Sequence, residues 1–239
     1  MANPPGEGDG RGGCSIRVSG LRVSYGNVKA VDGVSFTADE GDVTCLVGPN
    51  GAGKSTVLKV LVGIVKPDDG TVDVCGLSVD SAKRLIGYVP EQPTLFDSLT
   101  PREVIQLAKL IYNANDDGWI SELLKMFNLG QFLDVPIGRL SMGVKQRVHI
   151  VLALLHKPRI LVMDEPFNWL DIASSVVLED LLARFKDGRI IVMSSHIVDL
   201  LMRLCDKMIF MKGGRIVNIR YRGDFPSIDT LKDFVVKIS

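Results

Sequence analysis

The stretch VTCLVGPNGAGKSTVLKVLVGIV, Val43 to Val65, decides how the rest of the chain is read. Its first residues form a continuous apolar run, as in a strand buried on both faces, and its last residues carry apolar side chains at helical spacing. Between them GPNGAGKST, Gly48 to Thr56, fits the pattern G-x-x-x-x-G-K-[ST] in the strand–loop–helix setting that its mechanism requires. Glycines in such a loop let backbone N–H groups turn inward around a phosphate. On that reading Gly48, Pro49, Asn50, Gly51, Ala52, Gly53, Lys54, Ser55 and Thr56 cradle a nucleotide. Lys54 reaches the β- and γ-phosphate oxygens and the Ser55 hydroxyl ligates Mg²⁺.

Three further segments fit around this loop. ILVMDE, Ile160 to Glu165, is an apolar strand ending in two acids. Asp164 at the strand's end can hold Mg²⁺ through its water shell, and Glu165 is placed to polarise an attacking water. SSH, Ser194 to His196, ends the next strand, so His196 emerges on the same sheet edge, where it can bond a γ-phosphate or orient the water. LSMGVKQR, Leu140 to Arg147, opens a helix with a Ser-x-Gly turn, and a helix start of that kind holds an anion. The helical spacing of Val144, Val148, Val151 and Leu155 accounts for a packed face but not for Ser141-x-Gly143. The chain therefore carries two anion sites, far apart in sequence.

Elsewhere, Ser15 to Asp39 alternates apolar and polar residues, with turn signals at Gly20, Gly26 and Asp32-Gly33, which predicts short antiparallel strands. Asp69-Gly70 predicts a hairpin turn and LIGYVP, from Leu85, another strand. From about Thr94 to 145 the strand signals stop. Thr100, Pro101 and Glu103 spell a capping box at the start of one helix, and a second is expected near Ser121 to Phe127. After the signature helix come strand, helix (Leu170 to Lys186), strand, helix and a final hairpin at Gly213-Gly214. Little is expected beyond Asp224. The fold class that follows is α/β: a P-loop NTPase core with a mostly parallel sheet, an N-terminal antiparallel β subdomain and an inserted α-helical subdomain.

Composition narrows the partners. Among 239 residues Lys+Arg and Asp+Glu both count 28, which argues against a protein held to nucleic acid by bulk charge. No apolar run is long enough for a membrane helix. Residues 1–14 are Gly- and Pro-rich and predict a flexible tail without a signal peptide's apolar segment, leaving 15–239 as one domain. Cys14, Cys45, Cys75 and Cys205 show no CxxC or metal-ligand spacing, so they are expected as unpaired core side chains in a reducing compartment. His149 and His156 are expected to be structural.

With these motifs in order, the sequence resembles the nucleotide-binding subunits of ATP-binding-cassette transporters over nearly the whole chain from about Ser15. GPNGAGKST matches Walker A, LSMGVKQR the signature, ILVMDE Walker B, EPFNWLD the D-loop with Asp171, and His196 the switch histidine. Tyr25 matches the aromatic that stacks on adenine. The resemblance implies an ATPase using ATP and Mg²⁺, with export-type relatives closest, catalytic Glu165, His196 and Lys54, and metal ligands Ser55 and Asp164. It implies a head-to-tail pair, homo- or heterodimeric, in which Ser141, Met142 and Gly143 close over the partner's nucleotide. Polytopic permease subunits follow as partners, with the chain peripheral on the cytoplasmic face of their membrane. Departures from the family pattern are local. Met142 and Val144 replace the first Gly and the Gln of LSGGQ, and bulky Trp169 stands in the D-loop where a small residue is common. The family's Q-loop glutamine aligns with Glu91, with Gln92 beside it, and both are candidates to sense the metal. Two other readings use the same motifs: a soluble cassette ATPase acting on ribosomes or DNA, and a non-hydrolysing regulatory cassette. Retention of Lys54, Glu165 and His196 together speaks against the second.

Overall fold

The computed structural model describes residues 13–238, so residues 1–12 of the expected tail lie outside the described residues. The chain opens with β1 (Ser15–Tyr25) and β2 (Val28–Asp39), which pair antiparallel around the turn at Gly26. Then come β3 (Val43–Val47), α1 (Lys54–Leu61), β4 (Asp69–Val74), β5 (Leu77–Ser78), the short α2 (Val79–Ala82) and β6 (Ile86–Val89). Helices α3 (Pro101–Tyr112), α4 (Asp117–Met126) and α5 (Met142–Leu154) follow. The chain closes with β7 (Ile160–Met163), α6 (Ile172–Phe185), β8 (Ile190–Ser194), α7 (Val198–Leu204), β9 (Lys207–Lys212), β10 (Arg215–Tyr221) and α8 (Ile228–Ile238).

The strands form two sheets, one of order β2-β1-β4-β5 and one of order β10-β9-β3-β8-β7-β6. In the second, β6, β7, β8, β3 and β9 run parallel, and β10 joins antiparallel at the edge. Sequence dictates the difference. β3, β7 and β8 are buried at every position, as strands covered on both faces must be. β1 alternates buried and exposed residues, with Ile16, Val18, Leu21 and Val23 on its inner face. One core lies between the antiparallel sheet, α1 and one face of the parallel sheet. The other lies between the opposite face and helices α3 to α8.

The inserted helical subdomain starts as its sequence specifies. Thr100 Oγ1 accepts from the Glu103 N–H, and Glu103 Oε2 accepts from the Thr100 N–H at 2.8 Å, with Pro101 in the first turn. Thr100→Ala removes one half of this reciprocal pair and is expected to cost about 1 kcal/mol. In a chain of this size that is a fall of about 2–4 °C in the thermal midpoint. An unchanged midpoint by calorimetry would count against the cap.

The structure corrects five expectations. The N-terminal strands are long, and Gly20 and Gly33 sit at irregularities within β1 and β2. Asp69-Gly70 does not turn the chain: Gly70 has φ +89° because β4 passes so close to β1 that a Cβ there would lie 2.6 Å from the Gly20 carbonyl. The hairpin comes later, between β4 and β5 at Cys75-Gly76. The second subdomain helix begins earlier than expected, because the Asp116 carboxylate accepts from the Trp119 N–H at 2.9 Å and caps it. Beyond Asp224 the chain forms α8, whose Phe234 packs with Phe210 and Phe225. Finally, the cysteines are paired, Cys14 with Cys75 and Cys45 with Cys205, and none is free. The partners stand 61 and 160 residues apart and meet only through the folded sheets, so their spacing carries no signal. The reducing compartment inferred from unpaired thiols loses its basis with them.

Candidate nucleotide-binding and catalytic site

β3 delivers the loop Gly48–Gly53 to the first turn of α1 at the carboxyl edge of the parallel sheet. Gly53, the N-cap, has φ +100°, and a Cβ there would lie 2.4 Å from the Ala30 carbonyl of β2. Only glycine satisfies both conditions. The loop is fastened from outside by the β9–β10 turn, where the Gly214 N–H donates to the Ala52 carbonyl at 3.1 Å. Its crest, Pro49 to Gly51, is exposed, while Gly53, Ser55 and Thr56 are half-buried. Lys54 is buried and fixed across the loop, donating from Nζ to the carbonyls of Gly48 at 2.7 Å and Pro49 at 3.2 Å. Tyr25, at the end of β1, leaves its ring half exposed and free to stack.

Next along the same edge stand the two acids of β7. Asp164 is buried. Its Oδ1 accepts from the Ser194 hydroxyl at 2.6 Å, while its Oδ2 has no hydrogen-bond partner among the described residues. A buried carboxylate oxygen without a donor fits a cation or a cation's water, so the residues present suit Mg²⁺. Glu165 adopts φ +46°, left-handed and uncommon for a residue with a side chain. Its N–H donates to Ser194 Oγ at 2.8 Å. Its Oε2 lies 2.9 Å from His196 Nδ1 and its Oε1 4.0 Å from Lys54 Nζ.

Lys54, Asp164, Glu165 and His196 are thus brought into one cluster from three separate segments. With Nδ1 committed to Glu165, the half-exposed His196 ring has Nε2 left to face a substrate. Ser194 was not singled out from sequence, although it precedes the assigned histidine by two residues. It joins both acids by accepting from one and donating to the other. A hydroxyl at the end of a buried strand, beside an acidic strand end, was the available signal.

Glu91 and Gln92 are exposed on the segment after β6. Burial, with the Asp164 and Glu91 carboxylates nearby, pushes the Tyr88 phenol above its usual range. Downstream of them, His149 of α5 meets the Thr94 carbonyl at 3.2 Å. Since a carbonyl can only accept, His149 Nε2 carries the proton, and burial pushes this imidazole down to about 4, so it stays neutral. His156 stacks on Tyr112 with ring centroids 4.0 Å apart.

Among the described residues, no hydrogen bond or ion pair joins Ser141, Met142 or Gly143 to Lys54, Asp164, Glu165 or His196. Ser141 is the N-cap of α5, accepting from the Val144 N–H at 3.4 Å, and among the described residues it is bonded only within its own helix. Ser141 and Met142 are exposed. Gly143 has a reason that the sequence did not show: a Cβ there would lie 2.6 Å from the carbonyl of Trp169 in the D-loop. Asp171 caps α6, accepting from the Ser174 N–H at 2.7 Å, and that bond holds its carboxyl below the usual range.

The ABC transporter family profile matches residues 31–168, more than half of the chain. An uncharacterized ABC transporter ATP-binding protein of Bacillus subtilis, YxlF, is 33% identical over 84% of this chain and 69% of its own length. The Nod factor export ATP-binding protein I of Ralstonia nicotianae is 34% identical over 89% of the chain and 68% of its own length. Among solved structures, an ATP-binding subunit of an ABC transporter superposes with a TM-score of 0.83 at 29% identity, covering 92% of this chain and 99% of that one. The dimeric bacterial ABC transporter cassette MJ0796 gives 0.78 at 27% identity, covering 87% and 98%. A post-hydrolysis form of that cassette holds ADP and Pi. The chain belongs to the ABC transporter family, as an ATP-binding and ATP-hydrolysing subunit.

Proposed function

We propose that this cassette pairs head to tail with a second one, homo- or heterodimeric, and that each phosphate loop's ATP is closed by the partner's signature helix. One observation carries the reading: among the described residues Ser141, at the N-terminus of α5, is exposed and hydrogen-bonded only within its own helix, with no bond to the catalytic cluster of its own chain. Its free N–H groups and dipole suit an anion brought by another chain. Ser55 and Asp164, with Glu91 or Gln92, would hold Mg²⁺, which when bound neutralises phosphate charge. Glu165 takes a proton from water while His196 and Lys54 hold it and the phosphates in place. Hydrolysis removes the γ-phosphate contacts that hold the pair closed, and the pair reopens.

Separate polytopic membrane subunits would convert this motion into transport, with the cassette on the cytoplasmic face, where ATP is supplied. In support, α3 exposes Leu107, Leu110 and Ile111, with Phe96 just ahead of it, an apolar surface suited to a protein partner. No helix among the described residues is long and apolar enough to cross a membrane. The resemblance to an export ATP-binding protein supports a role in transport.

Ser141→Ala tests the pairing. Losing one charge-assisted bond to the partner's phosphate is expected to lower ATP turnover about ten- to a hundredfold. Affinity of the isolated chain for a fluorescent ATP analogue should stay within about twofold, as no contact to its own nucleotide is lost. Full turnover would refute the composite site. Gly143→Asp is the poorer probe, because its side chain collides with the Trp169 carbonyl before it meets any ligand.

A further inference from the structure

Gln146 sits on α5 one turn beyond the signature residues, completely buried, in a position where the catalytic scheme has no use for it. Its Nε2 donates to the Pro166 carbonyl at 3.1 Å, and its Oε1 has no hydrogen-bond partner among the described residues. Leaving half of a buried amide unpaired is unfavourable, so the bond it does make is maintained against a cost. Pro166 follows Glu165 directly, and with no N–H of its own its carbonyl is the only backbone group through which it can be held.

That placement bears on Glu165, whose left-handed backbone persists only where its surroundings fix it from both sides. Ser194 Oγ holds the Glu165 N–H on the upstream side. Downstream, the Asn168 N–H holds the Glu165 carbonyl at 3.0 Å, and Gln146 holds the next carbonyl in the chain. Gly143 lies three residues before Gln146, on the same helix face, and meets the same loop at the Trp169 carbonyl. The signature helix therefore grips the loop that carries the catalytic glutamate at two points, Pro166 and Trp169.

We propose that Gln146 is a positioning residue that passes engagement of Ser141 and Gly143 by the partner's nucleotide to Glu165 of the same chain, so that each cassette hydrolyses its own ATP only while its signature is engaged. The inference rests on the head-to-tail reading above. Pinning the start of α5 fixes the helix, the Gln146 amide fixes the Pro166 carbonyl, and Glu165 is held with its carboxylate toward His196 and Lys54. Unpinned, α5 leaves the loop free to relax.

The test is a double-mutant cycle on ATP turnover at saturating ATP, using wild type, Ser141→Ala, Gln146→Met and the double variant. Methionine conserves volume and apolar packing but cannot donate to Pro166. Gln146→Met is expected to lower kcat about tenfold, or 1.4 kcal/mol, with affinity of the isolated chain for fluorescent ATP unchanged. In the Ser141→Ala background the same substitution should cost less than about twofold, because the engagement it relays is already lost. Losses that multiply fully would overturn the proposal and leave Gln146 as a support of the core alone. Multiplying losses with Ser141→Ala impaired leave the composite site standing, whereas a silent Ser141→Ala overturns both readings. If the methionine variant does not fold, Gln146→Asn runs the same cycle, as it keeps a buried amide too short to reach Pro166.

Discussion

Glu165→Gln should lower ATP turnover by about 10²–10⁴, the range typical of removing a general base, while ATP binding is retained. Glutamine keeps the size of the side chain and can still bond His196 Nδ1, where the carboxylate Oε2 now stands at 2.9 Å. The backbone that presents it, held by Ser194 and by the Asn168 N–H, is untouched. What disappears is the negative oxygen proposed to accept a proton from water. With chemistry stopped and Lys54 intact, ATP should remain between two cassettes, so a dimer should accumulate with ATP and not with ADP. Size-exclusion chromatography with light scattering reads this directly for a homodimer. Turnover at the wild-type rate would remove Glu165 from the role of base and shift attention to Glu91, the acid after β6 at the Q-loop position.

The residues in these tests differ in how far their sequence setting revealed them. The phosphate loop is a local device, with its strand, its glycines and its helix contiguous, so its pattern could be read without knowing the fold. The same holds for the capping box at Thr100, and for β7, whose unbroken apolar run places Asp164 and Glu165 at the carboxyl edge. Contacts made across the fold could not be read this way. Ser194 meets Asp164 and Glu165 only because β7 and β8 are parallel neighbours in register. Gly143 has, beside its proposed ligand role, a second reason that spacing could not show, since a Cβ there would meet the Trp169 carbonyl of its own chain. Gly70 was misread because of a close approach of this kind. A left-handed glycine marks a turn in many sequences, but here it admits the backbone of a neighbouring strand. The disulfides and the Gln146 bond likewise depend on which elements pack together, information that spacing and periodicity do not contain.

Lys54→Ala should produce the opposite division of binding from chemistry. Lys54 Nζ is the one ammonium placed within the phosphate loop, held by the Gly48 and Pro49 carbonyls and 4.0 Å from Glu165 Oε1. Being pre-positioned and buried, it spends little conformational entropy on meeting a phosphate, and its attraction is less screened than at the surface. Removing a charge-assisted contact of this kind costs about 1.5–3 kcal/mol, or about ten- to a hundredfold or more in affinity for ATP. The loop itself should survive, because its shape is set by the bond from Gly214 to Ala52 and by the close approach of Gly53 to Ala30, neither of which involves the lysine. A fluorescent ATP titration on folded protein, with the thermal midpoint as the control for folding, measures the loss. Wild-type affinity would contradict the assignment of the loop. Combining Lys54→Ala with Glu165→Gln then orders the two steps: without the cation no ATP is retained, so the ATP-dependent dimer of the single Glu165→Gln variant should not form. If that dimer still forms, closure does not depend on the nucleotide held by this loop, and the two anion sites of the chain do not act on one shared ligand.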